Sequence, residues 1–220
     1  MSNQKKENNI STSEKVTNFL SGHTKLLAII FIVLVLGFAV YFVTAYFVNK
    51  SAESNFALLS EYQQEYADNI TATKDETSFD KDAFLTKVKE LASSSGFSGA
   101  KAAQFVGDLY YEDSNYENAI EYYQIAAKKS HNSYLEPILL FTLGSCYEQI
   151  GDQDKAIDSY LSASKIDNFP YKSHAIFSVG RIEETRGNIE QAKTYYNELI
   201  ENNPYSDWSN LAKSSLVELN

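Results

Sequence analysis

The residues of this chain that could do chemistry stand too far apart to do it together. His23, His131 and His174 are its three histidines and Cys146 its single cysteine. A tetrahedral metal cage therefore lacks ligands, and an intrachain disulfide lacks a second sulfur. Asp80-Lys81-Asp82 has neither the glycine nor the distal glutamate of a calcium loop. No phosphate loop, nucleophile elbow or glycine-rich dinucleotide fingerprint occurs. Cys146 reads as a buried small hydrophobe. His174 reads as a solvated side chain that could face a groove, and Asn69-Ile70-Thr71 as a chance sequon. The expectation is a non-enzyme with no metal, no cofactor and no small-molecule substrate, whose business is surface recognition.

The surfaces must be carried by helices. The chain has 220 residues, with 3 Pro and 9 Gly against 16 Tyr and 13 Phe, a balance that disfavours a turn-rich β-sandwich. A hydrophobic content of 44% excludes disorder over most of its length. Charge is uneven: residues 1–25 carry four Lys against two Glu, whereas the rest carries 15 basic against 27 acidic residues. So acidic a body repels phosphate backbones, and no nucleic-acid partner is expected.

Residues 26–48, LLAIIFIVLVLGFAVYFVTAYFV, contain no charge. As a helix they reach about 34 Å, enough to cross a hydrocarbon core of about 30 Å. The run is too long for a signal-peptide core and no cleavage site follows, so it is expected to stay as an anchor. Lys5, Lys6, Lys15 and Lys25 precede it, and Lys50 alone follows closely before Glu53, Glu61, Glu65 and Asp68. The positive-inside bias predicts a cytoplasmic tail (1–25), a transmembrane helix (26–48) and an extracytoplasmic remainder. Residues 1–18 are polar and expected to be disordered. Helical spacing of Ala52, Phe56, Leu59, Tyr62, Tyr66 and Ile70, and of Phe84, Val88 and Leu91, predicts two amphipathic membrane-proximal helices within 49–97, separated by a polar break at 71–78. They are expected as a degenerate first hairpin.

Three segments align at a period near 36: VGDLYYEDSNYENAIEYYQIAA (106–127), LGSCYEQIGDQDKAIDSYLSAS (143–164) and VGRIEETRGNIEQAKTYYNELI (179–200). Gly107, Gly144 and Gly180 are each followed eight residues on by Asn115, Asp152 or Asn188, then by Ala119, Ala156 or Ala192, then by Tyr123, Tyr160 or Tyr196. Each segment reads as two helices joined by a turn. Asn115, Asp152 and Asn188 stand at N-cap positions, and Glu117, Asp154 and Glu190 fall in the first turn that favours negative charge. Small Gly and Ala permit close helix approach while the Tyr fills the layer between hairpins.

These residues resemble the tetratricopeptide repeat, a motif of about 34 residues with Leu-Gly-x-x-Tyr in its first helix, Ala and an aromatic in its second, and a terminal Pro. On that frame the repeats are 100–133, 137–170 and 173–206, within a repeat region 98–206, with Pro204 on the terminal proline. His131, Asn168 and Glu183 depart from the pattern. Trp208, Leu211, Ala212 and Leu216 share one face of 207–220, which reads as a capping helix. The resemblance implies an all-α solenoid with a concave groove lined by first helices. Its candidate partner-binding positions are Lys101, Gln104, Asp108 and Tyr111, then Phe141, Ser145 and Glu148, then His174, Phe177, Arg181 and Glu184. Phe141 and Phe177 are expected to be dispensable for folding and free to touch a peptide or partner helix. The open alternative is that the membrane-proximal helices fill the groove. The Lys, Arg and Asn clamp of chaperone-tail receptors is missing: Gln104, Asp108, Thr142, His174 and Ser178 stand in its place.

The order of parts also resembles the YfgM family of bacterial inner-membrane proteins. That likeness implies an ancillary subunit of the Sec translocon, working with a periplasmic chaperone on exported proteins. A scaffold for an envelope assembly, and an organelle import receptor with cytosolic repeats, are the alternatives.

Overall fold

A computed structural model describes residues 17, 19–71 and 79–219. The polar tail, apart from its last positions, and most of the break expected at 71–78 lie outside these residues. The described residues form helices without a strand: α1 (Thr24–Thr71), α2 (Lys81–Ser93), α3 (Gly96–Glu112), α4 (Tyr116–Lys129), α5 (Leu135–Gln149), α6 (Gln153–Ser164), α7 (Lys172–Thr185), α8 (Ile189–Asn202) and α9 (Asp207–Glu218). The chain divides into two units between Ser51 and Ala52.

The first unit contains the apolar part of α1. It is long and apolar enough to cross a membrane, and none of its apolar window is buried. A helix apolar all round has no polar face to offer water.

The second unit is a stack of helix hairpins. The stretch of α1 from Ala52 on buries Leu59 and presents Tyr62 and Tyr66 to α2 and α3. Tyr66 meets the rings of Phe79, Phe84 and Phe105 at 5.8–6.1 Å, and its hydroxyl donates to Glu112 at 2.7 Å. This aromatic cluster gives the membrane-proximal helices their own packed layer against α3. Lys129 extends the link, its ammonium donating to the carbonyls of Ala92 (2.5 Å) and Ser94 (2.7 Å) at the end of α2, where the helix dipole is negative.

In the three following hairpins, α3/α4, α5/α6 and α7/α8, one hydrophobic cluster runs from α3 to α7, and a second joins Ile176 of α7 to Ala192, Tyr196 and Leu199 of α8 and Ala212 of α9. A methyl group on Gly107, Gly144 or Gly180 would lie 2.6–2.7 Å from the ring of Tyr123, Tyr160 or Tyr196, so each tyrosine packs flat on a glycine of its partner helix. Ala119, Ala156 and Ala192 are fully buried beside these contacts. The turn inside each hairpin needs a left-handed residue. Gly151 (φ 77°) and Gly187 (φ 79°) supply it in two hairpins, and Ser114 (φ 56°) in the first.

Two of the three N-caps form as expected: Asn115 Oδ1 accepts from the Asn118 amide (3.4 Å) and Asp152 Oδ1 from the Lys155 amide (3.2 Å). Asn188 makes no such bond. Its amide instead donates to Glu183 Oε2 at 2.6 Å. Glu183 occupies the repeat's usual tyrosine position and is buried, and a buried carboxylate without a donor is costly enough to outcompete the cap. Helix α9 then covers the last hairpin with Ala212, Trp208 and Leu216.

Candidate interaction groove

The eleven candidate positions sit on α3, α5 and α7, and most of them are engaged with one another or with the tyrosines behind them. On α3, Lys101 donates to Gln104 (2.8 Å), and Asp108 accepts from the Tyr123 hydroxyl (2.8 Å). Burial, partly offset by Tyr123 and Lys101, pushes the Asp108 carboxyl up to about 6. Tyr111 reaches across to Ser145 of α5 at 3.3 Å. Glu148 is the busiest acceptor, taking the Tyr160 hydroxyl at 3.0 Å and the Arg181 guanidinium of the next hairpin at 2.8 Å. Glu184 accepts from Tyr196 at 2.7 Å. Burial drives the phenols of Tyr123, Tyr160 and Tyr196 above their ordinary range, each reinforced by its acid. They serve as neutral donors.

The far half of the groove is aromatic. Phe141 lies 5.2 Å from Tyr160, 6.0 Å from Phe169, 5.9 Å from Tyr171 and 4.8 Å from His174. His174 stacks on Trp208 at 3.7 Å with planes 9° apart. Phe177 sits 5.4 Å from Trp208 and 5.6 Å from Tyr196. Both phenylalanines are half-buried. They belong to the fold's packing as well as to its surface, contrary to the expectation that they stand free of it: the next hairpin's entry loop supplies rings that a single-repeat view omits. His174 is likewise half-buried rather than solvated, and burial followed by nearby Arg181 holds its imidazole below the ordinary value. It is a neutral stacking plate at pH 7.

Trp208 is the groove residue that sequence reading misses. It lies in the capping helix, yet one 34-residue motif length beyond His174 reaches it. Cys146 is fully buried, and burial pushes its thiol up to about 12, so it is unreactive packing. Among the described residues no cluster of His, Cys, Asp and Glu is arranged to hold a metal. The groove can bind by stacking, apolar contact and charge-assisted hydrogen bonds.

Residues 107–173 and 173–206 each match a tetratricopeptide-repeat family model. A TPR repeat-containing protein of Treponema pallidum (strain Nichols) is 31% identical over 142 residues, covering 63% of this chain and 59% of that protein. Response regulator aspartate phosphatase A of Bacillus subtilis (strain 168) is 32% identical over 108 residues, 44% of this chain and 28% of that protein. The chain thus spans less than two thirds of the length of these curated relatives. Two crystal structures of MamA are similar, at 23% and 22% identity with TM-scores of 0.45 and 0.46, covering 54% and 55% of this chain and 66% and 62% of those chains. Repeats of this kind generally serve as protein interaction modules rather than catalysts. The helix hairpins between Gly107 and Ser206 are tetratricopeptide repeats.

Proposed function

We propose that this protein is a membrane-anchored, extracytoplasmic interaction module that holds a segment of a protein partner in the groove of α3, α5 and α7, as an ancillary subunit beside a protein-conducting channel such as the Sec translocon. The observation that carries the reading is the continuity of α1. One helix contains both the apolar span and the first packed turns of the array. A groove tethered in this way meets chains at a membrane at high effective concentration, which makes weak contacts useful. The lysine asymmetry around the span supports an extracytoplasmic array. The groove's two halves suit a peptide with an apolar stretch for the Phe141, His174 and Phe177 side, and polar or basic groups near Asp108 and Tyr111.

The test is a photo-crosslinking amino acid at Ser145 in living cells, with captured proteins identified by mass spectrometry. Channel subunits, a periplasmic chaperone and exported chains are expected. One fixed envelope enzyme instead would replace the reading with that of an assembly scaffold. An alkaline phosphatase fusion after Ile70 that stays inactive, with an active cytoplasmic reporter at the same place, would move the array to the cytosol and favour an import receptor.

A further inference from the structure

The two long edges of the hairpin stack differ in chemistry. The turns inside the hairpins form one edge, where Lys81 pairs with Asp113 at 2.5 Å and Arg186 pairs with Asp154. The loops between hairpins form the other. There Phe56 lies 6.3 Å from Phe97, and Phe97 lies 5.7 Å from Tyr134. Residues 131–134, 136–138, 166–168 and Pro170 line one hollow. Ten-residue windows over the inner turns (110–119, 147–156, 183–192) carry formal charges of −3, −2 and −2, against +1, +1 and −2 over the inter-hairpin loops (128–137, 165–174, 201–210). Acid prevails on the first edge throughout, and on the second only at its last loop.

The second edge instead repeats an exposed tyrosine. Tyr134, Tyr171 and Tyr205 precede α5, α7 and α9, and are 69%, 51% and 97% exposed. Exposed Lys165 and Lys172 flank Tyr171. Phe56, at the start of this row, is eight residues beyond Val48, about 12 Å of helix. A row of amphipathic rings with lysines, less acidic than the opposite edge over its first two loops and leashed to a membrane helix, matches what a headgroup layer accepts. We propose that the inter-hairpin edge of the array docks on the lipid surface through Tyr134, Tyr171 and Tyr205, with Lys165 and Lys172 on lipid phosphates, an inference that rests on α1 being a membrane anchor.

The full chain, with Cys146→Ala, is reconstituted in phosphatidylethanolamine and phosphatidylglycerol vesicles. Single fluorophores are placed at Lys128→Cys (lipid edge), at Glu117→Cys and Asp154→Cys (acidic edge) and at Val35→Cys (span). Nitroxide on lipid headgroups should quench Lys128→Cys several-fold more than Glu117→Cys or Asp154→Cys, and acyl-chain nitroxide should quench Val35→Cys. Changing the three tyrosines to Ser should erase the difference between edges while helical circular dichroism and Val35→Cys quenching persist, with a lower Tm because Tyr134 packs on Phe97 and Tyr171 on Phe141. Lys172→Glu should lower the docked-to-free ratio by about fivefold or more. Equal quenching of both edges with Val35→Cys still quenched overturns the edge and leaves the anchor standing. An unquenched Val35→Cys overturns the anchor and the docking with it. A difference that vanishes when unlabelled protein is diluted away overturns lipid docking in favour of contact between copies.

Discussion

Gly144→Ala tests the register of the whole array, because helix propensity and packing predict opposite signs. Alanine in place of a mid-helix glycine is favourable by about 1 kcal/mol when nothing is in the way. Here the new methyl would sit 2.6 Å from the Tyr160 ring, which must retreat by about 0.8 Å to reach an ordinary contact. The ring is not free to retreat, since its hydroxyl donates to Glu148 and Glu148 also holds Arg181 of the next hairpin. Overpacking costs about 1–3 kcal/mol, and weakening a hydrogen bond to a charged acceptor adds about 1–2 kcal/mol. After the helix gain is subtracted, a net loss of roughly 2 kcal/mol remains, or about 4–8 °C in Tm for a domain of this size. Thermal unfolding of fragment 52–220 by circular dichroism measures it. Gly144→Leu should do more damage. Combining Gly144→Ala with Tyr160→Leu should cost less than the sum of the single changes, because the shortened side chain vacates the contested space. A rise in Tm for Gly144→Ala would refute the tyrosine-on-glycine packing.

Ser114 is the serine that adopts φ 56° where the other hairpins use glycine, so Ser114→Gly should raise stability by up to about 1 kcal/mol in urea unfolding. Asp108 titrates at about 6 when folded, above its ordinary value near 4. A carboxyl raised in this way stabilises most below the unfolded value, and that contribution fades as pH rises through about 6. The wild type should therefore lose stability relative to Asp108→Asn between pH 4 and pH 7, which paired urea melts across that range will detect. Changing Phe141 and Phe177 together to Ser should lower Tm as well as weaken partner recovery, because both rings are packed. A double variant with unaltered melting would return both rings to a purely surface role.

The hairpins were readable from sequence because what builds them is local. Gly144, Asp152, Ala156 and Tyr160 fall within seventeen residues of one another, and their spacing places them on facing helices. The groove was readable only as a set of positions. Its couplings join different repeats, as in Arg181 to Glu148 or His174 to Trp208, and depend on the angle at which one hairpin stacks on the next. Spacing within a repeat does not contain that angle. The same gap explains Phe141, whose neighbours Phe169 and Tyr171 arrive from the entry loop of the following hairpin. Asn188 departs from its expected cap for a different reason. The cap pattern weighs Asn188 only against its own helix, whereas the buried acid at Glu183 is the stronger claimant.

Each tyrosine latch closes over a short loop of chain: Tyr123 to Asp108 spans 15 residues, and Tyr160 to Glu148 and Tyr196 to Glu184 span 12 each. A chain delivered from its N-terminal end through a narrow exit can therefore complete each hairpin before the next one arrives, with little entropy spent on distant contacts. The stacked pair of Trp208 and His174 is different, since its partners are 34 positions apart, with the rest of α7 and all of α8 between them. During delivery the polar half of the groove exists first and the aromatic half last. A translating or translocating chain thus passes through a stage in which the repeats are already folded but Phe177 and His174 still lack their lid. Apolar surface is exposed for as long as the last helix takes to emerge, and slowing emergence at that point should raise aggregation more than slowing it one hairpin earlier.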